Sequence, residues 1–224
     1  MSNFASSPPV ILKNVRLDYF DAWTPGAPLK ESDKADPKKW KFKVKVIIDP
    51  KSEAAAVAKK AFTEAAQALW GANYAFVVDA MAKNNKSIRN GNGNLNTDGS
   101  IRPEYQDMLF VSGSNGAKPA VVGPQKFNGK FVDISADGRA FQNGIEMSPP
   151  PYQITAPYRG CYVNLKVQFI AGKAKDEMPN QVYAKFEALQ FVKNGEAFGS
   201  GPASAEGFDD EEMEPQDPDA DMFS

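Results

Sequence analysis

The chain has 224 residues, 42% of them hydrophobic and 11% aromatic, with 26 basic and 28 acidic side chains, one cysteine and no histidine. That is enough apolar material for one core, and no stretch approaches the roughly 18 apolar residues of a membrane span. Without histidine there is no Ser–His or Cys–His nucleophile pair and no ordinary zinc site. The lone Cys161 excludes an internal disulfide, fits a reducing cytoplasm and reads as a small buried hydrophobe. Residues 1–9 lack the basic and apolar regions of a secretory signal.

The net charge of -2 hides a segregation. Residues 206–224 hold nine carboxylates and no Lys or Arg, which leaves 26 basic against 19 acidic residues, a net charge of +7, on residues 1–205. A basic body suits a polyanion, and an acidic tail can mimic that polyanion and compete with it.

In chain order, residues 10–20 are predicted as a strand with Ile11, Val15, Leu17 and Tyr19 on one face. A loop over 21–37 follows, rich in Pro, Gly and charge. Then comes KKWKFKVKVIID, in which Trp40, Phe42, Val44, Val46 and Ile48 alternate with Lys39, Lys41, Lys43 and Lys45. The period of two predicts a strand with an apolar face, Trp40 and Phe42 in the core, and a wholly cationic face. Four like charges on one face repel, and an anion would relieve them.

Asp49 as N-cap and Pro50 in the first turn open a predicted helix that runs to about Trp70. Val57, Ala58, Ala61, Phe62, Ala65 and Leu69 form its inward stripe. Residues 74–83 suggest a second helical piece. Residues 84–99 read as a polar Asn/Gly loop whose GNGN has neither Walker spacing nor a strand–turn–helix context. Lys83, Lys86, Arg89 and Arg102 flank it and can track a phosphate backbone.

Short strands are predicted at 108–111, 120–122 and 130–134, and residues 147–151 form a rigid Pro-rich connector. Residues 159–170 alternate strictly, with Cys161, Val163, Leu165, Val167 and Phe169 pointing one way. A hairpin loop at 171–180, holding Lys173 and Lys175, leads into a returning strand at 181–193. The predicted fold is therefore mainly β: one small barrel with one packed α-helix over residues 1–193. A flexible linker and a disordered acidic tail are expected over 194–224. Asp18 with Asp21, Asp133 with Asp137, and Asp176 with Glu177 sit in no metal-site spacing and read as solvated turn residues. No cofactor or metal is expected.

Single-stranded nucleic acid needs cations along its phosphates and aromatic faces for its unstacked bases. Both occur together here. The candidates are Tyr19, Phe20 and Trp23 around the first loop, with Lys39, Lys41, Lys43 and Lys45 on the cationic strand. Arg89 and Arg102 flank the Asn/Gly loop. Tyr152, Tyr158, Arg159, Tyr162, Lys166, Lys173 and Lys175 complete the set. In the tail, Asp217, Asp219, Asp221, Met222 and Phe223 read as a partner-docking peptide, an aromatic among carboxylates.

This layout resembles the tailed-phage single-stranded DNA-binding proteins. The resemblance rests on the LKNVRLDYF strand, the KWKFKVKVIID strand with a helix directly after it, and the acidic tail with a near-terminal aromatic. It implies a non-catalytic OB-fold that coats ssDNA during phage replication, recombination and repair in the cytoplasm of an infected bacterium. It further implies a tail that recruits replication proteins such as a polymerase or helicase. Two departures stand out: the helix follows the second strand rather than the third, and Ser224 follows Phe223. No feature reads or rejects a 2′-OH, so RNA stays open as a ligand, and the chain is expected as a monomer or homodimer without a membrane partner. A protein–protein adaptor or phage assembly module is the alternative, with the lysine face meeting an acidic protein. A carboxylate-dependent nuclease would need convergent acids that the sequence does not show.

Overall fold

A computed structural model of the chain describes residues 2–28, 31–175 and 178–199. Its strands are β1 (Phe4–Ser6), β2 (Val10–Gly26), β3 (Lys41–Ile48), β4 (Ile88–Asn90), β5 (Leu109–Asn115), β6 (Ala120–Phe127), β7 (Lys130–Ile134), β8 (Ala140–Gln142), β9 (Ile145–Glu146), β10 (Tyr162–Gly172) and β11 (Gln181–Lys193). Its α-helices are α1 (Glu31–Lys34), α2 (Glu53–Trp70) and α3 (Tyr74–Ala80). No described helix is long and apolar enough to cross a membrane.

Five strands close on themselves in the order β2-β3-β5-β11-β10 and back to β2. All contacts are antiparallel except β5–β11, where Ala184 lies beside Gly113. A closed five-strand order with its third and fifth strands parallel is that of an OB-fold. Alternation decides which side chains point inward. Phe42, Val44 and Val46 of β3 meet Val163, Leu165, Val167 and Phe169 of β10 and Val182, Ala184, Phe186 and Leu189 of β11 in one core. Fully burying a Leu or Phe contributes about 1.5–3 kcal/mol, and Leu12, Leu17, Leu165, Leu189, Phe169 and Phe186 are all wholly buried.

Helix α2 packs against β1, β2 and β10. Its contact face is mostly alanine (Ala54, Ala55, Ala58, Ala61, Ala65 and Ala66 are buried), which lets its axis approach the strands closely. Phe62 adds an edge-on contact to Phe169 with ring centroids 6.2 Å apart. The cap is Ser52, not Asp49: Ser52 Oγ accepts from the Ala55 amide at 3.2 Å, while the Asp49 carboxylate accepts from Lys51 N one turn earlier. The helix still ends at Trp70, where Gly71 takes φ 56°.

Several local expectations change. Strand β2 runs six residues past Phe20, because Asp21 pairs with Lys43 and Gly26 with Lys41. A bulge with Asn14 at φ 53° shifts its phase, so Leu12 is buried and Ile11 is exposed. Trp40 sits just before β3, half-buried outside the core, its indole N–H donating to Lys34 O at 3.0 Å. The expected 84–99 loop contains β4, which pairs Arg89 with Phe110 of β5. The connection between β5 and β10 carries a lobe of its own, β6 to β9, attached along β11.

A second apolar cluster lies on the outer side of the barrel. Ile47, Tyr105 and Phe110 are buried there, with Met108 and Phe198 packed on them. Residues 91–108 thus form an arm laid over the outer face of β3 and β5. The arm passes close at Gly91, where a Cβ would stand 2.3 Å from Tyr105 O.

Candidate nucleic-acid interface

The outward side chains of β2, β3 and β5 form three cross-strand rows. Tyr19 stands opposite Lys45 and Lys45 opposite Ser112; Asp21 stands opposite Lys43 and Lys43 opposite Ser114. In the next row Arg16 pairs with Ile47, and Ile47 with Phe110. The lysine alternation of β3 therefore becomes the floor of a groove.

Three recesses share that floor. One of about 580 Å³ is lined by Tyr19, Lys41, Lys43, Lys45, Lys86, Arg89 and Tyr183, and its lining holds no Asp or Glu. A second, of about 780 Å³, lies between Lys45, Lys83, Arg89, Asn92, Asn94 and Phe110. The third, of about 950 Å³, is bounded by Arg16, Lys45, Arg102, Arg159 and Phe198 together with Asp18, Glu104 and Glu196. Lys45 borders all three. No described carboxylate is ion-paired with Lys41, Lys43 or Lys86, so among the lysines of the first recess only Lys45, 3.7 Å from Asp18, has a carboxylate partner.

The third recess is built differently. Asp18, read from the sequence as a solvated turn residue, is 2% exposed. Its carboxylate accepts from Arg159 Nη2 at 2.9 Å, from Arg102 Nη2 at 3.2 Å and from the Tyr105 hydroxyl, with Lys45 Nζ 3.7 Å away. Burial pushes its pKa up, but the Tyr105 and Arg159 hydrogen bonds and the Arg102 and Lys45 charges outweigh that and hold it below the ordinary value. Burial lowers the pKa of Lys45, and burial with the Asp18 hydrogen bond raises that of Tyr105. Glu104 also binds Arg102 and lies 3.6 Å from Arg159. One buried carboxylate thus ties the 91–108 arm and the residue 159 loop to the barrel.

The predicted residues divide accordingly. Tyr19, Lys41, Lys43, Lys45, Arg89, Arg102 and Arg159 line the three recesses. Lys39 lies at the open end beside Lys41 and Lys43, paired with Asp33 at 2.5 Å. Tyr19 is 43% exposed, and its hydroxyl donates to Asp21, which pushes its pKa up to about 12. Arg89 is spread over the Phe110 ring at 4.8 Å and donates to Asn84 Oδ1 and Ser112 Oγ.

The others have structural partners away from the groove floor. Phe20 and Trp23 pack edge-on, 4.9 Å apart, against the core, and the Trp23 indole donates to Ile134 O at 3.1 Å. Tyr152 donates to Gln125 O and covers Gly123. Tyr158 donates to Gly195 O at 2.8 Å and accepts from Gly195 N. Tyr162 is flanked by Arg16 at 5.0 Å and Lys193 at 4.7 Å, and Lys166 is paired with Glu187 at 3.1 Å. Lys173 and Lys175 lie in the β10–β11 turn, outside the three recesses. Asp217, Asp219, Asp221, Met222 and Phe223 lie outside the described residues.

Arg16, Tyr183 and Phe198 are recess residues that sequence reading passed over. Arg16 donates to Gly160 O at 2.7 Å and Glu196 O at 2.6 Å, and its guanidinium lies 4.4 Å from the Phe198 ring. Residues 194–199, the start of the expected linker, are thereby laid along the rim of the third recess. Only strand pairing brings residues 16, 160 and 196 together, so no local signal marks them.

Comparison with known proteins agrees with this architecture. The bacteriophage Enc34 single-stranded DNA-binding protein, solved in complex with ssDNA, superposes with a TM-score of 0.56 at 13% identity, covering 85% of this chain and 89% of that one. The same protein in another structure gives 0.52 at 16% identity, covering 88% and 87%. Protein p50 of Acyrthosiphon pisum secondary endosymbiont phage 1 is 33% identical over 110 residues, which is 49% of this chain and about half (47%) of that relative. The family model described as the ssDNA-binding protein of Enterobacter phage Enc34 matches residues 8–219. The chain, with its OB barrel and cationic outer groove, belongs to the family of the Enterobacter phage Enc34 ssDNA-binding protein.

Proposed function

We propose that the chain binds single-stranded DNA in the groove over β2, β3 and β5, without sequence preference and without catalysis. The observation that carries this is the first recess: Lys41, Lys43 and Lys86, none of them ion-paired with a described carboxylate, and Arg89 beside the exposed Tyr19 ring, with no carboxylate in the lining. Phosphates lie along Lys41, Lys43, Lys45 and Lys86, and bases stack on Tyr19. Family membership supports the same reading.

The body is then a coat for ssDNA during phage replication, recombination and repair in the infected cell, acting as monomer or homodimer. Residues 206–224 carry nine carboxylates that compete with DNA for the groove and recruit a basic-rimmed replication protein through Phe223. Titration of the full chain with oligothymidylate at several salt concentrations tests the central claim. Saturable binding is expected, with a log–log salt slope of about -0.7 for each phosphate neutralised. Absence of binding at low salt would overturn it and favour the adaptor. The same titration with oligouridylate measures how far RNA shares the groove.

A further inference from the structure

Far from the recesses in sequence, residues 126–131 read Lys-Phe-Asn-Gly-Lys-Phe and form the tip of the β6–β7 hairpin. Asn128 and Gly129 take φ 47° and 78°, the left-handed pair of a two-residue hairpin turn whose twist matches the strands it joins. Lys126 stands opposite Phe131, and Phe127 opposite Lys130. Directly opposed residues share a face and successive residues alternate, so each face of the tip presents one phenyl ring and one ammonium group. Lys126 Nζ lies 5.3 Å from the centre of the Phe131 ring.

Both rings face water: Phe131 is 41% and Phe127 38% exposed. Half-exposed phenyl rings forgo burial that the core could supply, and two hydrogen bonds tie the hairpin backbone and Lys130 to the neighbouring strand's turn. The Gln142 side-chain amide donates to Phe127 O at 2.8 Å, and Lys130 Nζ to Asn143 Oδ1 at 3.2 Å. Deeper in the lobe, Arg139 neutralises Asp137 and Glu146 at 2.6 and 3.1 Å. Neither Lys126 nor Lys130 is ion-paired with a described residue. The tip is a cationic, aromatic hairpin end whose residues line none of the groove's recesses.

We propose that this tip is a second contact for single-stranded DNA, with bases stacking on Phe127 and Phe131 and phosphates meeting Lys126 and Lys130. The inference rests on the groove reading above and adds to it a separate place farther along the bound strand. A ring beside a cation, as each face of the tip presents, is what an unstacked nucleotide needs. A duplex hides its base faces, and an acidic protein would use the charges without needing a ring on each side.

The test uses the full chain, with oligothymidylates of about 8 and about 30 nucleotides, the shorter able to fill one OB groove and the longer able to reach beyond it. Phe127→Ala with Phe131→Ala is expected to leave affinity for the short strand unchanged and to weaken the long strand by at least about fivefold. Phe127→Tyr with Phe131→Tyr is expected to restore it, which separates stacking from loss of fold. Lys126→Gln with Lys130→Gln is expected to reduce the salt slope for the long strand by about 1.4 and leave that for the short strand alone. Unchanged long-strand affinity in the alanine pair would overturn the proposal while leaving the groove intact, and so would equal weakening of both lengths. Failure of the unsubstituted chain to bind either strand would overturn the groove reading and this one with it.

Discussion

Asp18 and Arg159 meet at 2.9 Å beneath the groove, 141 residues apart in sequence. The Arg159 Nε also donates to Asp18 O at 2.8 Å, so one guanidinium grips both the side chain and the main chain of a single β2 residue. The carboxylate is also met by the Arg102 guanidinium, the Tyr105 hydroxyl and the Lys45 ammonium. A carboxylate at the base of a polyanion site is unfavourable to the ligand; here it holds the arm and loop that wall the site.

Asp18→Asn is expected to cost about 3 kcal/mol of stability at neutral pH, because two arginines and a lysine lose their buried counter-charge. The pH dependence has a definite sign. The folded-state pKa is depressed, so the stabilisation is fully present above the unfolded value of 3.8 and is lost as pH falls through the folded pKa. Urea unfolding of both proteins between neutral pH and pH 3 should show their difference shrinking as Asp18 protonates. A constant difference would show that Asp18 acts through packing alone.

The two kinds of cation in the groove should behave differently on substitution. Lys41, Lys43 and Lys86 line the carboxylate-free recess, so each change to Gln is expected to lower the salt slope for ssDNA by about 0.7 and to leave thermal stability almost unaltered. Arg102 is already committed to Asp18 and Glu104. Its change to Gln is expected to reduce stability by about 1–3 kcal/mol, with a smaller effect on the slope. Salt titrations paired with thermal melts separate the two.

The barrel was legible because its strands obey the simplest rule in the chain. Lys41, Lys43 and Lys45 alternate with Phe42, Val44 and Val46, and residues 161–169 alternate without a break, so both cationic and core faces follow from period two. Asp18 was not legible. It follows an irregular stretch in which Asn14 bulges and the pairing slips between Leu17 and Tyr19, so alternation no longer says which way it points. Its partners come from residues 45, 102, 105 and 159, which only closure of the barrel brings together. Trp40 was misjudged for a related reason. The apolar pattern continues through it, but the strand begins at Lys41, and the indole turns instead to Lys34 O.

Trp23 illustrates how an aromatic in a Pro/Gly context can be structural. Its ring packs on Phe20, and its N–H is used by Ile134, which joins β2 to the β6–β9 lobe. Trp23→Phe is expected to cost about 1–2 kcal/mol through the lost hydrogen bond and ring volume, and to leave affinity for short oligothymidylate within about twofold of the original. A large loss of affinity without loss of stability would return Trp23 to the binding surface.

The last prediction concerns residues 206–224. The described chain leaves the barrel along the third recess: Phe198 N donates to Arg159 O at 3.3 Å, and Phe198 lies against the Arg16 guanidinium. The carboxylate-rich segment therefore starts within a few residues of the groove's arginines. The proposal that its nine carboxylates compete with DNA draws on that linkage, since a tethered segment acts at an effective concentration on the order of millimolar. Deleting residues 206–224 is expected to strengthen ssDNA binding about tenfold or more at low ionic strength. The advantage should fade towards about 1 M salt, where the screening length falls to about 3 Å. Equal affinity of the full and shortened chains at low salt would show that the acidic segment serves a partner and never the groove.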